Sequence, residues 1–179
     1  MKRYQKFMIA HGFLVMAVGL IAGFMLLFAL IGGFEFWPGR IAEFSVYGTV
    51  EGWVRAHSGG ITNGMMVVIV ALALPYLKLS EAMNKFFAWG LIYVAWSFTL
   101  FYWIGNASGN RSLTFGDSPL GGADWLSILG FLPGVPSIFI APIILFIGAR
   151  AALRLIAKNE EISTGDKVVT GQEIAKDES

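Results

Sequence analysis

The stretch EGWVRAHSGGITNGMMVV, residues 51–68, contains His57, one of only two histidines in the chain. A neutral imidazole is an axial ligand for haem iron. Gly59 and Gly60 just behind it would let a large ring approach the backbone. The same histidine could instead cap a helix or bond a loop carbonyl. Asn63 follows in NGMMVV. A polar amide at a membrane edge needs a partner, either a polar ligand or a neighbouring helix. A second stretch, FYWIGNASGNR (101–111), adds Tyr102 and Asn106, spaced i and i+4 and so on one helix face. A phenol can polarise a bound oxygen; a tyrosine of the interfacial aromatic belt is the alternative. Arg55 and Arg111 suit carboxylates such as haem propionates, or are surface arginines; Asn106 joins them as a candidate cofactor-binding residue.

Apolar helices must position these groups. Of 179 residues, 56% are hydrophobic and 14% charged, against roughly 25% charged in soluble domains. Mean hydropathy is +0.66. Four runs, near 7–31, 61–79, 86–104 and 126–148, are long enough to cross a bilayer. The expected fold class is an all-α membrane protein: one four-helix transmembrane domain over 1–158, then a disordered, polar cytoplasmic tail over 159–179. A net charge of +1 argues against nucleic acid as a partner. With no cysteine, disulfides, thiolate-ligated haem, covalent haem and cysteine nucleophiles are excluded together. The first run exceeds a signal-peptide core, and LIGGFEFWPG offers no A-x-A site, so it is read as a retained helix.

Lys2, Arg3, Lys6, Lys78, Lys85, Arg150, Arg154 and Lys158 fall on one side of such a bundle, and Arg40, Arg55 and Arg111 on the other. The excess predicts cytoplasmic termini with four passes between them. His57, Asn63, Tyr102 and Asn106 then gather at the outer level. His11 is expected about 30 Å away, a bilayer thickness, in a structural role. If the second helix extends back to His57, Asn63 lies about 120° around it, and the two could face different ligands. The connection 32–60 reads as a long aromatic loop, with Trp37, Tyr47 and Trp53 as belt residues and Glu35, Glu43 and Glu51 solvated. Pro75 should bend helix 2; Pro133, Pro136 and Pro142 should break or bend helix 4.

The blocks WVRAHSGGITNGMMVV, FYWIGN and NRSLTFG, preceded by GGFEFWPGRIAEF, resemble styrene oxide isomerases over about residues 7–148. The resemblance implies a homotrimer in a bacterial inner membrane, with haem b between subunits, and the Meinwald rearrangement of aryl epoxides to aldehydes. It also implies His57 as the axial iron ligand, with Asn63 and Tyr102 lining the epoxide site. Ferric haem would then act as a Lewis acid on the epoxide oxygen. The family pattern carries an aspartate eight residues before that tyrosine, where this chain has Val94. A b-type cytochrome-like electron-transfer subunit and a non-catalytic membrane subunit remain as alternatives.

Overall fold

The computed structural model describes the backbone of residues 1–177 and the side chains of residues 1–158. The expected tail, 159–179, lies outside the residues whose side chains are described. The element order is α1 (Arg3–Ile31), β1 (Gly33–Trp37), β2 (Arg40–Glu43), α2 (Val50–Ala73), a 3-10 turn (Leu74–Leu77), α3 (Glu81–Gly105) and α4 (Trp125–Asp177). Four helices are long and apolar enough to cross a membrane, the last over Trp125–Lys158.

Helix α2 starts at Val50, eleven residues before the expected 61. Thr49 caps it, its side chain accepting from Gly52 N, and Glu51 sits in the first turn. The glycines that read as punctuation are packing positions. A Cβ on Gly60 would lie 2.6 Å from Gly19 Cα, and one on Gly12 would lie 2.8 Å from the Gly64 carbonyl. Small residues thus let α1 and α2 pack backbone to backbone. Helix α3 likewise begins earlier than expected, at Glu81, where Ser80 accepts from Met83 N.

The expected long loop is mostly ordered structure. Glycines with positive φ, Gly32 at 70° and Gly39 at 75°, frame an antiparallel hairpin of β1 and β2. Glu35 accepts from Gly39 N at 2.7 Å across its turn. Pro75 ends α2 in the 3-10 turn rather than bending it. Helix α4, by contrast, runs through Pro133, Pro136 and Pro142 unbroken. The Pro133 carbonyl accepts from the Tyr93 and Ser97 hydroxyls of α3, which keeps this backbone oxygen satisfied.

Burial is the reverse of a soluble protein's. Phe24 (60% exposed), Phe139 (63%) and Phe146 (69%) face outward, while Ser97, Thr99, Asn110 and Ser127 are buried. Inside, Met8, Val67, Ala71, Phe87, Leu91 and Ile144 form the main core. Ala22, Trp53 and Ala56 form a second at the far end. The Lys2–Glu81 ion pair joins the starts of α1 and α3, so these helices run parallel. The Thr49–Asn106 bond joins the start of α2 to the end of α3, so that pair is antiparallel.

Candidate active site

His57 lies eight residues past the α2 cap, about 12 Å into the helix. It is therefore a helix-interior residue, not the loop-edge residue expected. Its ring is half-buried and points at α1, where Nδ1 lies 2.9 Å from the Gly19 carbonyl. A carbonyl can only accept, so Nδ1 carries the proton and donates. The neutral ring then presents a lone pair at Nε2. Gly23 makes room: a Cβ there would sit 2.7 Å from His57 Nδ1.

His57 packs level with Gly19 and Gly23, and His11 lies eight and twelve residues from them, about 12–18 Å along α1. This corrects the expected separation of about 30 Å, because the early start of α2 carries His57 inward. His11 Nδ1 accepts from Trp96 Nε1 at 3.0 Å, the structural role expected of it. That bond leaves the His11 proton on Nε2.

Tyr102 packs against the opposite side of α2. Its ring fills the space beside Gly59, where any Cβ would overlap it. Phe98 stacks on it at 6.4 Å, and Phe101 meets it edge-on at 5.5 Å. Gly59 stands roughly 160° around α2 from His57. Asn63 comes one turn after Gly59, on the same stripe. It lies mid-helix rather than at the helix start, and its buried Nδ2 has no hydrogen-bond partner in the protein. An orphaned buried amide costs about 1–3 kcal/mol.

Asn106 is committed elsewhere. Its Oδ1 accepts from Thr49 N at 2.9 Å and lies 3.3 Å from Thr49 Oγ1, which holds the start of α2 against the end of α3. Arg55 and Arg111 do meet Tyr102 and Asn106, around one cleft with a volume of about 30 Å³. That is space for a water or two, far too little for an aryl epoxide within one protomer. Among the described residues no three His, Cys, Asp or Glu side chains gather.

One organising residue escaped the sequence reading. Asn110 is fully buried. Its Nδ2 donates to the carbonyls of Thr114 and Gly116 at 3.0 and 2.9 Å, and its Oδ1 accepts from Ser112 N at 3.0 Å. This hub holds Arg111 and Ser112 in the left-handed region, φ 59° and 55°, which non-glycine residues adopt at a cost. It fixes Arg111 at the mouth of the cleft. The Asn-Arg-Ser run carried the turn chemistry of such a loop, but not its target. Val94, where the resemblance implied an acid, is fully buried, and no carboxylate acts from that position.

His57, Asn63 and Tyr102 thus sit on α2 and α3, two of four helices long and apolar enough to cross a membrane. The styrene oxide isomerase family model matches residues 4–153. The styrene-oxide isomerase of Pseudomonas fluorescens is 42% identical over 130 residues, covering 73% of this chain and 77% of that one. The chain belongs to the styrene oxide isomerase family and is an isomerase.

Proposed function

We propose that this protein isomerises aryl epoxides of the styrene oxide type to aldehydes by the Meinwald rearrangement, with haem b as cofactor. The observation that carries this reading is the His57–Gly19 hydrogen bond, which leaves Nε2 as a ligand. Ferric haem, when bound, supplies a Lewis acid for the epoxide oxygen. His57 would hold the iron, and Arg55 and Arg111 would hold the propionates. Tyr102 and Asn63 orient the substrate: a phenol fixed by packing on Gly59, and an amide whose Nδ2 is free to donate to the epoxide oxygen. The benzylic C–O bond breaks, a hydride moves from the adjacent carbon, and the carbonyl forms. Every atom stays within the substrate, so no protein nucleophile is needed. Apolar surroundings keep water from trapping the benzylic cation as a diol.

His57 points from α2 toward α1, Tyr102 of α3 packs on the opposite side of α2, and the cleft beside Tyr102 is small. These facts favour a site completed between copies, in a homotrimer. The distribution of Lys and Arg favours cytoplasmic termini, and the family favours a bacterial inner membrane. The electron-transfer alternative needs a second axial histidine, and His11 is engaged with Trp96.

The test is an absorbance spectrum of detergent-purified protein, oxidised and then reduced. A Soret band that shifts on reduction, and is lost or displaced in His57→Ala, is the expected result. No Soret band after expression with added haem would overturn the proposal.

A further inference from the structure

At the basic end of the bundle, Lys2, Arg3, Tyr4 and Phe7 of the α1 start face Glu81, Lys85 and Trp89 of α3 across a groove of about 560 Å³. Three cations stand here against one carboxylate. Glu81 is paired with Lys2, and neither Arg3 nor Lys85 has a carboxylate within ion-pair distance among the described residues. The two helices repeat one pattern: a cation, then an aromatic four residues on, Arg3–Phe7 and Lys85–Trp89. Because α1 and α3 both run inward from this end, each aromatic lies about 6 Å deeper than its cation. The Arg3 guanidinium lies 5.5 Å from the centre of the Phe7 ring, and the Phe7 and Trp89 rings are 6.0 Å apart. Trp89 is 54% exposed.

We propose that this groove binds an anionic phospholipid, its phosphate held by Arg3 and Lys85 and its glycerol and upper acyl chain lying on Phe7 and Trp89. The charge selects an anion, since basic pockets between membrane helices hold anionic headgroups. The depth order selects an amphiphile over free phosphate, which has nothing to place on two exposed aromatic rings. A second copy seated groove to groove is a poor occupant, because both grooves carry the same excess positive charge.

Native mass spectrometry of the full-length protein, titrated with phosphatidylglycerol and with phosphatidylcholine, tests this. Phosphatidylglycerol should bind preferentially. The double variant Arg3→Gln, Lys85→Gln should bind it about tenfold more weakly. The charge-keeping pair Arg3→Lys, Lys85→Arg should retain most of the binding. Arg150→Gln with Arg154→Gln, in a separate groove on α4, should leave it unchanged. Equal binding of the two lipids, equal binding by the double-Gln variant, or displacement by inorganic phosphate at the lipid's concentration would each overturn the assignment. So would a change in subunit number in the double-Gln variant with lipid binding intact.

Discussion

At the scale of single residues, the site depends on what is missing as much as on what is present. Gly23 has no Cβ, and that vacancy holds the His57 ring. Alanine is the better helix former by about 1 kcal/mol, so Gly23→Ala should not weaken α1 itself. The added methyl would push the imidazole off the Gly19 carbonyl. With His57 as the proposed iron ligand, haem affinity measured by titrating haem into the purified protein should fall about 10- to 100-fold, the usual cost of disturbing the group that orients a ligand. Asn63→Leu separates function from stability. It removes an orphaned buried amide, so the thermal midpoint of the haem-free protein should hold or rise. Turnover should nevertheless fall, because the leucine has nothing to donate. A variant that loses stability and turnover together would show that Asn63 is a packing residue. Tyr102→Phe keeps the ring beside Gly59 and removes only the hydroxyl. Here kcat should drop about 10²-fold or more with little change in thermal stability.

Elements set the distances between these residues, and their ends do much of that work. The Thr49 cap and the Asn106 amide bond each other, so the start of α2 and the end of α3 are a single joint. Asn106 was expected to bind cofactor, but this joint is what it serves in the protomer. Asn106→Ala should cost about 1 kcal/mol, read as a lower thermal midpoint. Asp124 does the same for α4, its Oδ1 accepting from Ser127 N at 2.6 Å and its Oδ2 from Gly109 N at 3.2 Å. The Ser127 hydroxyl, its backbone N–H and that of Gly109 together hold the Asp124 carboxyl below the usual aspartate range. A depressed folded value means the stabilisation is present above the unfolded pKa, about 3.9. It is lost as pH falls through the folded value. Asp124→Asn should therefore lower the thermal midpoint most at neutral pH, and the two curves should converge as pH falls through the folded value.

For the whole molecule, the question is whether one copy contains the site. His57 turns toward α1 and Tyr102 packs on the face of α2 toward α3, so one protomer holds the two groups apart. Co-expressing His57→Ala with Tyr102→Phe tests a shared site. In a cyclic trimer with the two groups contributed by neighbours, roughly a quarter of interfaces in a random mixture combine one intact histidine with one intact tyrosine. Activity should recover to about that fraction of wild type, measured as aldehyde formed per subunit. No recovery beyond the residual rates of the two variants would place both groups in the same subunit.

Hydropathy alone determined the membrane class and the existence of four spans, because a bilayer accepts only long apolar helices whose backbone groups are satisfied internally. Residue types and block order determined the family, and with it His57, Asn63 and Tyr102 as candidates. Helix boundaries were less legible. Gly59 and Gly60 signal a loop by local propensity, yet inside α2 they let Tyr102 and Gly19 approach. Nothing local distinguishes a breaking glycine from a packing one, since the difference lies in a neighbour far along the chain. The protonation of His57 is the clearest case: the carbonyl that decides it lies 38 residues away in sequence. Chemical identity is a property of the residue and can be read in one dimension. Which nitrogen is free, which face a side chain takes and which amide is left unpaired depend on contacts that only the packed helices create.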